Sequence, residues 1–181
     1  FRRVLFRSIA NRGEIACRVI RGCREMGIRS VAIFSEADRD SLHVKIADEA
    51  ICVGHGSNSD SYLNLANVLM ACQISGADAV HPGYGYFSER ANFAIALNSL
   101  GIKFIGPPTE AIEAMGDKAA AKKAAIASKC PVVPGSEGPV ANETEALAVA
   151  EKIGYPVLLK AVAGGGGRGI RRVDEPEELA G

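Results

Sequence analysis

The feature that most limits the fold of this sequence is a repeated alternation, through its first half and beyond, of short apolar runs with segments of helical period. Ile9-Ala10 reads as the end of a buried strand feeding a turn at Asn11-Arg12-Gly13. From Gly13 to Met26, Ile15, Ala16, Val19, Ile20 and Cys23 recur at helical spacing, with Arg18, Arg21, Arg24 and Glu25 elsewhere around the helix, and Gly27 is a natural stop. Ser30 to Phe34 is a second strand, followed by the polar loop Glu36 to Asp40 and a short segment around Leu42 to Ala47. Ala50 to Val53 is a third strand, and Ser61 to Ser75 a helix closed by Gly76. Asp78 to His81 is a fourth strand that runs into Pro82-Gly83-Tyr84-Gly85-Tyr86, Ser88 is placed to cap the helix carrying Phe93 and Leu97, and Lys103 to Gly106 is a fifth strand.

Such alternation predicts an α/β fold, a doubly wound parallel sheet with helices on both faces. Ligands in these folds bind outside the carboxyl ends of the strands, so the loops after Ala10, Phe34, His81 and Ile105 should share one edge. The loop from His81 to Tyr86 is the most loaded of them: glycine and proline fix its backbone while a histidine and two tyrosines are presented. From the residues alone, a substrate contact and a packed turn are equal readings.

Residues 1–8 do not fit this pattern. Arg7 and Ser8 stand where a buried strand should be apolar, so the stretch reads as an atypical leader foreign to the fold or as a frayed first strand. Past Pro107-Pro108 the texture changes again. A short helix, Thr109 to Met115, is interrupted at Gly116, and Asp117 is placed to cap an alanine- and lysine-rich helix from Lys118 to Ser128. Lys118 falls in the first turn, where a cation opposes the helix dipole, a placement that suits an anionic ligand or a solvated surface lysine. Cys130 to Pro139 reads as a linker into a new domain, Glu143 to Ile153 as a helix, and Asp174 as the cap of one more.

Between them lies a β-hairpin. Tyr155 to Lys160 is strand-like and ends in a lysine, Gly164-Gly165-Gly166-Gly167 with Arg168 form a loop, and Ile170 to Val173 lead away. Glycines let successive backbone N–H groups converge on one anion, and Lys160 brings positive charge to the same oxygens, which suits a phosphate chain. Neither a Gly-Lys-Ser/Thr end nor a Gly-x-Gly-x-x-Gly helix opening is present.

Composition narrows the partners. Lys plus Arg equals Asp plus Glu at 21 each, so no global field favours nucleic acid or an anionic membrane surface. Five cysteines without a Cys-x-x-Cys pair read as free thiols, and no stretch has the length of a membrane span, so a cytoplasmic protein is expected.

Asn11-Arg12-Gly13-Glu14-Ile15-Ala16, His81-Pro82-Gly83-Tyr84-Gly85, Met115-Gly116-Asp117-Lys118 and Lys160 through Gly169 resemble, together and in order, the N-terminal part of biotin carboxylase. The resemblance covers Ile9 to Gly181 and implies a Rossmann-like N-terminal domain over residues 9–116 and the start of an ATP-grasp module, with part of its lid, over residues 117–181. It implies use of MgATP and bicarbonate to carboxylate biotin on a carrier protein, as in the first half-reaction of acetyl-CoA carboxylase. The same module serves propionyl-CoA, methylcrotonyl-CoA and pyruvate carboxylases. Lys118 and Lys160 match ATP-contacting lysines, and Gly164, Gly165, Gly166 and Gly167 match the loop over the phosphates. Tyr84 and Gly85 match the loop facing biotin, and Arg18, Arg21 and Glu25 match a homodimer contact. Biotin carboxyl carrier protein and carboxyltransferase are the implied partners. The family's magnesium-binding glutamates, bicarbonate-binding arginine and general base match positions beyond Gly181, so the 181 residues alone are expected to be inactive.

Three rivals are weaker. A dehydrogenase-type dinucleotide domain needs a Gly-x-Gly-x-x-Gly that Asn11 to Glu14 do not supply. Another ATP-grasp ligase would keep the lid but not the two N-terminal motifs, and a non-catalytic assembly module would act through the first helix alone.

Overall fold

A computed structural model describes residues 6–116, 118–136, 138–161 and 169–179, with the backbone only at positions 118 and 119. The chain divides between Gly116 and Asp117 into two compact units.

The first unit is built on five parallel strands: β1 (Phe6–Ile9), β2 (Arg29–Ser35), β3 (Glu49–Gly54), β4 (Ala79–His81) and β5 (Lys103–Phe104), in the spatial order β3-β2-β1-β4-β5. The chain winds outward from β1 in one direction and then in the other, so the order reverses between β1 and β4. Ile9 lies opposite Ala32 on one side and His81 on the other. Side-chain alternation along the strands sends neighbours to opposite faces. Ile9 and Ala32 pack with Ala16 and Ile20 of α1 (Gly13–Glu25) and Ile46 of α2 (Leu42–Ile46). Ala10, Ile33 and Val80 join the larger core on the other face, with Val68 and Cys72 of α3 (Leu65–Ile74) and Phe93 and Leu97 of α4 (Ala91–Ser99). A further helix, α5 (Thr109–Gly116), closes the unit and buries Ile112 in the same core.

β1 takes in Phe6, Arg7 and Ser8, which the sequence pattern sets apart with residues 1–5. Arg7 pairs with Ser30 and Ala79, and Ser8 with Val31 and Val80. Backbone ladders on both sides hold the strand whatever its side chains are. The polar residues still leave a trace, because the buried Ser8 hydroxyl meets the Cys72 thiol rather than a strong oxygen or nitrogen partner among the described residues.

Local hydrogen bonds move some boundaries. α3 starts at Leu65 rather than Ser61, because Asn64 Oδ1 caps it by accepting from the Asn67 N–H at 3.2 Å. Ser88 caps no helix. It sits in a 3₁₀ turn, Tyr86–Glu89, and its hydroxyl donates to the Gly85 carbonyl at 2.7 Å.

The second unit contains α6 (Lys118–Ala127), α7 (Glu143–Ile153) and an antiparallel hairpin of β6 (Val157–Lys160) and β7 (Ile170–Val173). Asn142 caps α7 through Glu145 N–H at 2.9 Å, and the Glu145 carboxylate accepts from Ala141 N–H at 2.8 Å. Ala146 and Ala150 pack with Val173 and Leu179. Asp174 leads into a 3₁₀ turn, Pro176–Leu179, and its carboxylate accepts from Arg172 at 2.6 and 2.9 Å.

Among the described residues, no helix is long and apolar enough to cross a membrane, and no group of three His, Cys, Asp or Glu side chains is placed to hold a metal ion. Cys17, Cys23 and Cys72 are buried, Cys52 and Cys130 are exposed, and all five are free thiols.

Candidate functional site

The carboxyl ends of β1 and β4 lie at the point where strand order reverses, where a doubly wound sheet leaves a crevice. A cavity of about 430 Å³ opens there, lined by the Asn11 to Ile15 turn and by Tyr84 to Tyr86. Arg12 stands in extended backbone at the N-cap of α1 with no side-chain cap, and Gly13 makes the corner at φ +66°. Glu14 places a carboxylate in the first turn, where the helix dipole favours it.

The two loops are tied together by side chains. The buried Asn11 donates its amide to the carbonyls of Pro82 and Tyr84, each at 2.8 Å, while its Oδ1 accepts from the Arg12 N–H at 2.9 Å. His81 Nδ1 accepts from the Gly83 N–H at 3.0 Å, so the ring carries its proton on Nε2. Burial lowers the His81 pKa and favours that neutral form. Gly83 sits at φ +66°, and a Cβ there would fall 2.6 Å from Asn11 Nδ2. The Tyr84 hydroxyl donates to the Glu14 carboxylate, a bond that raises the tyrosine pKa.

A second network braces the same cavity from β2. Asp38 Oδ2 accepts from Tyr62 Oη at 2.7 Å, from Arg12 at 2.9 Å and from Ser35 Oγ at 3.3 Å. Burial alone would raise the Asp38 carboxyl, but the Tyr62 and Arg12 bonds outweigh it and hold the pKa below the ordinary carboxylate value. The Tyr62 hydroxyl also accepts from the Ser35 N–H at 3.1 Å. Arg12 lies 5.4 Å over the Tyr62 ring, which stacks on Tyr86 at 5.6 Å. Beside this network, on α2, His43 is buried with Nε2 3.3 Å from the Ile33 carbonyl, and burial lowers its pKa.

Tyr84 and Gly85 therefore join the Asn11 to Ile15 turn in one cavity, with Tyr84 61% exposed. Arg18, Arg21 and Glu25 are exposed at i, i+3 and i+7 of α1, a spacing that puts them on one side of the helix. Lys160 is exposed at the end of β6, and the Ala161 N–H donates to the Gly169 carbonyl at 2.8 Å across the base of the hairpin loop. Gly164, Gly165, Gly166, Gly167 and Arg168 lie outside the described residues, as does Asp117, and of Lys118 only its place at the start of α6 is described. The sequence pattern did not single out Asn11, Asp38 and Tyr62 as the struts of the cavity. A signal existed for Asp38, since the polar loop after β2 ends on the same sheet edge.

Residues 1–112 match the family of biotin carboxylase N-terminal domains. The chain belongs to the biotin carboxylase family. Residues 117–181 match the ATP binding domain of the carbamoyl-phosphate synthase L chain. Over 171 residues the chain is 51% identical to biotin carboxylase 1 of Bacillus subtilis, covering 94% of this chain and 38% of that protein. It is 54% identical over 170 residues to the mitochondrial propionyl-CoA carboxylase alpha chain of Rattus norvegicus, covering 94% and 23%. A solved biotin carboxylase domain dimer of Hydrogenobacter thermophilus 2-oxoglutarate carboxylase, in complex with MgADP, ADP and bicarbonate, superposes with a TM-score of 0.87 at 50% identity, covering 96% of this chain and 38% of that one. The chain thus spans about 38% of the length of the bacterial biotin carboxylase it matches. In biotin carboxylase terms, the cavity belongs wholly to the N-terminal domain.

Proposed function

We propose that this chain supplies the N-terminal domain and the start of the ATP-binding module of a biotin carboxylase, an ATP-dependent ligase that uses bicarbonate to carboxylate biotin on a carrier protein. The observation that carries the reading is the succession of two family matches, to residues 1–112 and 117–181, whose junction coincides with the division of the structure after Gly116. Tyr84 and Gly85, presented on a braced loop, face biotin. Lys118, Lys160 and Gly164 to Gly167 hold the phosphates of ATP, a role that the exposure of Lys160 at the end of β6 supports. Bound ATP supplies a phosphoryl group that activates bicarbonate. Magnesium neutralises the phosphate oxygens in that chemistry, and we assign its ligands to parts of the enzyme outside these 181 residues. Arg18, Arg21 and Glu25 form the homodimer contact, a reading supported by their exposure and by the dimer of the Hydrogenobacter domain.

Acetyl-CoA carboxylase in the cytoplasm, with its role in fatty acid synthesis, is the parent system we favour. A propionyl-CoA carboxylase is the alternative, on the identity to its alpha chain. In either case a carboxyltransferase takes the carboxyl group onward from the biotin carrier.

The test is a chimaera in which this chain replaces the matching 38% of the Bacillus subtilis enzyme. ATP turnover should require both bicarbonate and biotin, and Lys160→Ala should reduce it at least about tenfold. Turnover indifferent to biotin would refute the assignment and favour another acyl-phosphate-forming ligase.

A further inference from the structure

Three backbone groups of the loop that carries Tyr84 are bound by side chains rather than by neighbouring strands: the Pro82 and Tyr84 carbonyls by Asn11 and the Gly83 N–H by His81. Asn11 is 3% exposed and has both its amide nitrogen and its oxygen engaged, the oxygen tying the loop to the first residue before α1. Gly83 passes so close to it that no side chain fits between, and both Gly83 and Gly85 hold positive φ. An isolated stretch of chain would not keep this shape, because glycine backbones are the freest of all. We infer that Asn11 and His81 are positioning residues that set the 82–86 loop in the form in which Tyr84 and Gly85 meet biotin. This rests on the reading of that loop as the biotin-facing edge.

Asn11 has no equivalent substitute, whereas His81 has one. Aspartate keeps the shape of Asn11 but turns an oxygen toward two carbonyls, where the native residue offers N–H donors. Leucine at position 81 removes the acceptor for the Gly83 N–H, whereas asparagine offers one near the same place.

In the chimaera, Asn11→Asp and His81→Leu should each raise KM for biotin about tenfold, while kcat at saturating biotin and KM for ATP change less than about twofold. His81→Asn should keep a near-parental KM for biotin. An unchanged KM for biotin in Asn11→Asp overturns the inference, and so does a parallel rise in both KM values, which marks a general structural loss. If Asn11→Asp does not fold, the leucine and asparagine variants at position 81 decide the matter by the same criterion. Should the unsubstituted chimaera fail to carboxylate biotin, the functional assignment falls, yet the positioning role is still decided in the 181-residue chain. There Asn11→Asp should speed amide hydrogen exchange at Gly83 at least about tenfold, and unchanged exchange overturns it.

Discussion

Replacing Tyr62 with phenylalanine isolates the bracing of the cavity from the packing of its core. The ring is fully buried and stacks on Tyr86, and phenylalanine keeps that shape. Two hydrogen bonds are lost: the donation to Asp38 at 2.7 Å and the acceptance from the Ser35 N–H at 3.1 Å. A bond to a charged acceptor contributes about 1.5–3 kcal/mol, and a buried N–H left without its acceptor costs about 1–3 kcal/mol. Asp38 keeps Arg12 and the Ser35 hydroxyl, which offsets part of the first loss. The expected destabilisation of the first unit is therefore about 2–4 kcal/mol, a large share of a domain's stability. Reversible urea unfolding followed by far-ultraviolet circular dichroism measures it, with Tyr86→Phe as the comparison. Tyr86→Phe loses an exposed bond to Asn58 at 3.1 Å and a minor contact with the Arg12 guanidinium, and should change stability by less than about 1 kcal/mol. Equal midpoints for Tyr62→Phe and the parent chain would show that the Tyr62 hydroxyl is not a strut.

Two glycine substitutions should go opposite ways in the same assay. Gly54→Ala puts a Cβ 2.0 Å from the Asp60 carbonyl oxygen at φ +140° and should cost about 3 kcal/mol or more, whereas Gly22→Ala meets only Arg18 at 3.8 Å within α1 and should gain about 0.5–1 kcal/mol. Asp38 has a folded pKa below the ordinary 3.8, so its contribution is complete above that value and is lost as the pH falls through the folded value. Asp38→Asn should consequently show a shallower loss of stability below pH 3.8 than the parent in an acid titration, and superimposable curves would contradict the network. For the proposed dimer contact, Arg18→Glu should abolish self-association of the chimaera in size exclusion, with an unchanged elution volume counting against the face.

Periodicity was enough for the architecture because burial leaves its mark on every strand and helix that contributes to a core. Ile33, Val80, Phe93 and Leu97 announce buried faces by position alone. The paired strands were equally legible, since Val157 to Lys160 and Ile170 to Val173 are short apolar-containing runs set off by a glycine-rich stretch of sequence. Polar local contacts were not. Asn64 and Ser88 are both competent caps by residue type, but only Asn64 finds an N–H in the right place. Arg7 and Ser8 looked unfit for a central strand, yet backbone pairing on both sides overrides two side chains.

The sequence by itself determined the parallel α/β unit and the motifs that mark the biotin carboxylase family, because these depend on pattern and on short runs of residues. Only the tertiary structure decided that Asn11 holds the loop 71 residues away and that Tyr62, 24 residues after Asp38, completes the bracing of Arg12. Those links join the ends of separate strands, and sheet order, which no local spacing encodes, is what brings the ends together.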